Sequence, residues 1–271
     1  MTETVQPHLR RERVSYMAPI GVGYDMTADH MPLVIETDEK WRVVTIPGTP
    51  SRPYMYNRYM RVAPGDLDVF TVNRAGYGGP VYGAARREPV LSFDDQVAAI
   101  APLFDKDDGF RTITVGVSYG GELALKCALD YPDRIAGVVT VAALVTEPYP
   151  YINAITPLAE HSPIKEILPG YLHNARAEVE GRRKQIGPLL DRLGELTCPV
   201  TILHGNLDNL VAQSDAEVLL GHFPEHADVK YEPINGGTHY LELQMPRRLY
   251  AAIRDVISRA NTKDKDVVNG Q

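Results

Sequence analysis

Cysteine is scarce in this chain: two in 271 residues. Cys127 sits in a helical pattern and Cys198 beside a proline, which gives neither a disulfide framework nor a metal-ligand spacing. Both read as buried thiols that pack as small hydrophobes. A basic excess is lacking as well, with 28 Lys and Arg against 35 Asp and Glu and a formal net charge of −7. That balance argues against nucleic acid and anionic membrane as partners, since both require cations to neutralise phosphate. The short RRER at 10–13 does not reverse it. No apolar run approaches the length of a membrane span, and the first residues carry charge where a signal peptide needs its apolar core. The expectation is a cytoplasmic protein with no membrane span. Neither an internal repeat nor a low-complexity segment is present.

What the chain does have is alternation. Extended apolar stretches at 31–37, 41–46, 67–73, 111–117, 135–143, 199–204 and 227–232 are separated by helical patterns, as in a parallel sheet covered by helices. The later strands are near-continuous apolar runs, which fits burial on both faces. Ser92, with Asp95 three residues on, opens a helix carrying Val97, Ile100 and Phe104 on one face. Pro246 opens a last helix with Leu249, Ile253 and Ile257 inward. From about 147 to 181 short helical patterns are broken by Pro148, Pro150, Pro157, Pro163 and Pro169. This reads as a small helical cap over the carboxyl edge of the sheet, where ligands bind in such folds. Residues 182–196 read as a sheet-covering helix. The expected organisation is a core of 1–146 and 182–271, a cap of 147–181, and flexible ends at 1–20 and 262–271.

Residues 113–125, ITVGVSYGGELAL, place a serine between two glycines where a strand gives way to a helix. In that context G-x-S-x-G is a nucleophile elbow. A sharp turn forces Ser118 into a strained backbone conformation, and small residues at 116 and 120 remove the collisions that larger side chains would make. A serine hydroxyl needs a base to take its proton and an acid to hold that base in the right tautomer. In this architecture the order is Ser, Asp or Glu, then His. PVTILHGNLDNLV supplies Asp208 and VKYEPINGGTHYLEL supplies His239, each just past a strand. His204 reads as a structural histidine, and His161, His173, His222 and His226 as surface positions.

With GVSYGG, HGNLDNLV and GGTHYLEL in this order, the chain resembles the α/β-hydrolase superfamily from about residue 31 to 260. The resemblance implies the α/β-hydrolase fold: a mostly parallel central sheet, helices on both faces, and a small helical cap inserted after the sixth core strand. It implies Ser118 as nucleophile, His239 as general base and then acid, and Asp208 as the residue that orients His239. In some relatives the acid follows the preceding strand, which makes Glu147 the alternative. The oxyanion hole would use the backbone N–H of Tyr119 and of Thr49. Many relatives have His-Gly-x-Pro at the second of these loops, where this chain has Pro47-Gly48-Thr49-Pro50, so a side chain that often braces the loop is missing. NRAGYGGP (73–80) resembles a glycine-rich stretch of capped relatives, with Asn73 for the usual Asp and Pro80 for the usual Ser. It lacks the spacing of a phosphate loop, and DKDDG at 105–109 likewise falls short of a calcium loop. No cofactor and no metal is expected.

Serine at the elbow argues against epoxide hydrolases and haloalkane dehalogenases, which use aspartate there. The expected activity is a serine hydrolase working through an acyl-enzyme, foremost a carboxylesterase on a small to medium, partly polar ester. Acyl transfer or C–C bond hydrolysis on the same residues is the alternative, and a non-catalytic ligand-binding member of the fold ranks third. Tyr54, Tyr149 and Tyr240 are candidate walls of a pocket for a small molecule, although tyrosines at loop edges can equally serve packing. Arg52 and Arg58 read as surface cations. The sequence is compatible with a homodimer.

Overall fold

The computed structural model describes residues 11–21, 23–51, 53–77, 88–147 and 170–268. Its centre is an eight-stranded sheet built from β1 (Glu12–Ala18), β2 (Tyr24–Met31), β3 (Lys40–Ile46), β4 (Leu67–Asn73), β5 (Phe110–Val117), β6 (Ile135–Val141), β7 (Val200–Gly205) and β8 (Val229–Ile234). The spatial order is β1-β2-β4-β3-β5-β6-β7-β8. β1 and β2 form an antiparallel hairpin, and β2 also runs antiparallel to β4. From β4 to β8 every neighbouring pair is parallel.

The parallel strands β3 to β7 are buried on both faces, which explains their runs of Val and Ile, while β8, at the edge, is largely unburied. One face packs Phe93 and Val97 of α2 (Phe93–Ile100), Leu123 and Cys127 of α3 (Tyr119–Asp130), and Leu189 of the short helix Ile186–Asp191. The other packs Tyr59 and Met60 of α1 (Asn57–Arg61) with Leu249, Ile253 and Val256 of the long helix Pro246–Val268. Numbered in chain order, Gly170–Arg182 is α4, Ile186–Asp191 is α5, Ser214–Gly221 is α6, Leu241–Gln244 is α7 and Pro246–Val268 is α8. Ser92 caps α2 as expected, its hydroxyl accepting the Asp95 N–H.

Several expectations are corrected. The apolar stretch 31–37 is not a strand: β2 ends at Met31, where Pro32 has no N–H to continue the ladder, and Val34 and Ile35 turn outward with their N–H groups on the Gly65 carbonyl. The true second strand, YDMTADHM, carries too many charges to read as one, yet it is held between β1 and β4. Within the ends expected to be flexible, residues 12–18 form β1 and α8 runs on to Val268. Most of the proposed cap, 148–169, and with it Tyr149 and His161, lies outside the described residues. The proposed return to the core at 182 falls instead inside the last turn of α4, whose Asn174, Glu178 and Arg182 are already buried. The helix expected over 182–196 is the short α5 followed by a single tight turn at Leu193–Glu195.

Candidate active site

Four loops meet at the carboxyl edge of the sheet, after β3, β5, β7 and β8. Val117 ends β5, and the next residue, Ser118, turns the chain straight into α3 with φ 54° and ψ −124°. Few non-glycine residues adopt such a conformation, and it persists only where its surroundings enforce it. Here the Ser118 N–H donates to Val141 O at 2.8 Å, while Ser118 O accepts the Gly121 N–H at 2.8 Å. The flanking glycines are required sterically. A Cβ at Gly116 would lie 2.1 Å from Gly120 O, and one at Gly120 would lie 2.1 Å from Ile46 O. Gly121 serves packing instead, against the Cβ of Ala143.

The loop after β3 reaches the same point. A Cβ at Gly48 would stand 2.9 Å from Ser118 Cβ, so only glycine lets this loop lie against the elbow. No hydrogen bond engages the N–H of Thr49 or of Tyr119 among the described residues. The first N–H groups of a helix have no partner of their own and sit at its positive end. The Tyr119 ring turns into the core, edge-on to Phe93 at 5.7 Å. What it presents at this edge is its backbone.

Asp208 follows β7 and His239 follows β8. His239 Nδ1 is 2.8 Å from Asp208 Oδ2, and both side chains are buried. The N–H groups of Leu210 and Val211 donate to Asp208 Oδ1 at 2.8 and 2.9 Å. His204, read from sequence as structural, lies 3.3 Å from Asp208 Oδ2 and donates from Nε2 to Val211 O at 3.2 Å. Burial raises the Asp208 carboxyl, but hydrogen bonds from His204 and His239, with the Val211 N–H, outweigh it and hold the group well below the usual carboxylate range. A carboxylate only accepts, so His239 carries its proton on Nδ1 and keeps a lone pair on Nε2.

The remaining sequence candidates separate clearly. Glu147 is 48% exposed and paired with Arg183 through two 3.0 Å bonds. Tyr240 is 39% exposed and meets the His239 ring edge-on at 5.4 Å. Tyr54 is 47% exposed. Tyr56 and Tyr59 are core residues, and Tyr59 stacks on Tyr250 at 4.6 Å. Arg58 is exposed and donates to Leu243 O.

Sequence reading missed four buried charged residues around the site, in two pairs. Arg74 and Glu178 are both 0% exposed and face each other at 2.6 Å, directly behind the 47–49 loop. Arg182 binds Glu122 at 2.6 Å and the carbonyls of Leu144, Val145 and Thr146, tying α4 to the nucleophile helix. The signal was available: positions 174, 178 and 182 form a polar stripe at helical spacing in a segment without an apolar stripe, so α4 must bury polar groups or nothing.

Glu242, three residues past His239, is buried with its Oε2 unpartnered among the described residues, and burial pushes its carboxyl up to about 7. Between 4.5, its ordinary value, and about 7 the folded chain holds more proton than the unfolded one, so stability falls as pH rises through that window and then levels. Glu242→Gln keeps the shape and removes the titration. Denaturant unfolding at pH 5 and pH 8 is expected to show wild type losing about 3 kcal/mol more than the variant over that interval. Equal losses in both would contradict the assignment.

A profile of the alpha/beta hydrolase family matches residues 43–253. No curated protein matches the chain by sequence. Among solved structures, the chain is similar to the peroxisomal alpha-beta-hydrolase of Saccharomyces cerevisiae, at 13% identity and TM-score 0.66, over 98% of this chain and 91% of the other. It is also similar to a carboxylesterase of Bacillus subtilis, at 13% identity and TM-score 0.66 over 92% of each chain. A third is the 2-hydroxy-6-oxo-6-phenylhexa-2,4-dienoate hydrolase of a Rhodococcus strain, at 14% identity and TM-score 0.64, over 92% of this chain and 100% of the other. No described helix is long and apolar enough to cross a membrane. The eight-stranded sheet, the serine elbow after β5 and the profile spanning most of the chain agree: the protein belongs to the α/β-hydrolase family.

Proposed function

We propose that the protein is a serine hydrolase working through an acyl-enzyme, with a carboxylic ester as its substrate. The observation that carries this reading is the 2.8 Å Asp208–His239 pair on the same sheet edge as Ser118, which the elbow holds at φ 54°. Ser118 Oγ attacks the ester carbonyl as His239 Nε2 takes its proton. The oxygen that becomes negative is met by the N–H groups of Tyr119 and Thr49, fixed donors of the kind worth about 2.7–4 kcal/mol each in a transition state. His239, now charged and held by the Asp208 carboxylate, returns the proton to the leaving alcohol. Water then repeats the sequence on the acyl-enzyme and frees the acid. Tyr54 and Tyr240 supply aromatic surface with hydroxyl tips, which suits a partly polar acyl group.

A fluorophosphonate probe followed by peptide mapping tests the reading, together with turnover of nitrophenyl esters of increasing acyl length. Labelling confined to Ser118 with preference for short or medium acyl chains is expected. Labelling elsewhere overturns the assignment of the nucleophile. Labelling at Ser118 with no ester turnover, but with turnover once an alcohol or thiol acceptor is added, replaces hydrolysis by acyl transfer.

A further inference from the structure

The loop Pro47-Gly48-Thr49 lacks the histidine that its position suggested as a brace, yet it is held by the Pro47 and Gly48 carbonyls and the Thr49 hydroxyl. Arg74 donates from Nε to Pro47 O at 2.8 Å and from Nη2 to Gly48 O at 2.9 Å. Thr49 Oγ1 donates to Glu178 Oε2 at 2.6 Å, and the Tyr77 hydroxyl donates to the same oxygen at 2.7 Å. Each hydroxyl has one proton, so the 2.9 Å contact between Thr49 Oγ1 and Tyr77 is two donors sharing one acceptor. Arg74 completes the cluster with bonds of 2.6 and 2.9 Å to the two Glu178 oxygens, and Gln96 Nε2 adds one of 3.3 Å.

Fully burying a guanidinium and a carboxylate costs more than an apolar pair of similar volume, so such a pair contributes little to stability by itself. What it supplies is fixed geometry, and here all of that geometry converges on three residues. The Thr49 N–H is left without a hydrogen-bond partner among the described residues. We propose that Glu178 and Arg74 are positioning residues of the oxyanion hole: Arg74 fixes the loop by two carbonyls and Glu178 fixes Thr49 by its hydroxyl, aiming the Thr49 N–H at the acyl oxygen on Ser118. The inference rests on the acyl-enzyme reading above. It also gives α4 a task, because Glu178 enters the site from the helix that ends the segment proposed as a cap.

Three variants test it. Thr49→Val removes the hydroxyl and keeps the N–H, Thr49→Ser restores the hydroxyl, and Glu178→Gln removes the charge at constant size. Rates are expressed per fluorophosphonate-titrated site on the best nitrophenyl ester. Inhibition is measured with the matching trifluoromethyl ketone, whose adduct on Ser118 places an oxyanion in the hole. Thr49→Val is expected to lower kcat by about tenfold to thirtyfold with KM within twofold, a fraction of the loss from deleting a donor outright. Inhibition by the ketone weakens by the same factor, and Thr49→Ser stays within threefold of wild type. Glu178→Gln lowers kcat about a hundredfold, and adding Thr49→Val to it costs less than a further twofold, since both act through one contact. A purely structural role would change the melting temperature and the titratable fraction but not kcat per site or ketone affinity. If Glu178→Gln does not fold, the two Thr49 variants decide the matter. Thr49→Val with wild-type kcat and ketone affinity overturns the proposal while Ser118 labelling in wild type stands. Absence of labelling and turnover in wild type overturns the acyl-enzyme reading itself.

Discussion

Ser118→Ala is expected to lower kcat on nitrophenyl esters by about a millionfold while the protein folds normally. The size of the loss follows from the way the proposed residues act as a unit. Without the hydroxyl, His239 has no proton to take and no acyl-enzyme forms, so the Asp208–His239 pair contributes nothing further. A residual acceleration of about a thousandfold to ten-thousandfold over water is expected from the oxyanion donors and substrate positioning. Folding is preserved because alanine, like serine, has a Cβ at φ 54°, so the substitution adds no backbone strain; it also adds no bulk beside Gly48. The measurement is kcat at saturating ester together with the thermal midpoint. A variant that retains more than about one per cent of wild-type kcat, with fold and midpoint unchanged, would remove Ser118 from the chemistry.

The parts of the fold that were legible in the sequence are those where one physical requirement dominates. β3 to β7 are buried on two faces, so their sequences are runs such as VVTI and ITVGV that fit no other role. The elbow was legible because a turn this tight admits only small residues at 116 and 120, and the 2.1 Å approaches of their would-be Cβ atoms show how firmly. The hairpin β1–β2 was not legible because an edge hairpin buries one side and alternates polar with apolar residues. MPLVIET, although apolar, is stopped by Pro32. Arg74, Glu178 and Arg182 escaped for a related reason. Charged residues four apart on a helix normally mark a solvated face, and nothing local says that Glu178 has a guanidinium waiting 104 residues earlier in the chain. His204, read as structural, is buried, and its approach to Asp208 depends on the turn after β7 and not on any motif.

Asp208→Asn should lower kcat about ten-thousandfold, a barrier increase of about 5 kcal/mol, through the tautomer of His239 rather than through lost packing. The direction in which the new amide points is set by its neighbours. Oδ1 of Asp208 takes the N–H groups of Leu210 and Val211, so the asparagine oxygen must occupy that place. Its NH₂ group then faces His239 Nδ1, previously a donor to a carboxylate at 2.8 Å, and His204 Nε2. Two donors cannot share that contact, so His239 responds by moving its proton to Nε2. The lone pair needed to accept the Ser118 proton is thereby lost. The negative charge that stabilises the imidazolium during each proton transfer goes with it. KM should change little, because nothing that contacts the acyl group has moved. Glu147→Gln provides the contrast: the residue is paired with Arg183 at the surface, and kcat should stay within twofold of wild type. A large loss in Glu147→Gln with full activity in Asp208→Asn would transfer the role of the acid to the loop after β6. If both variants keep their activity, no carboxylate orients the histidine.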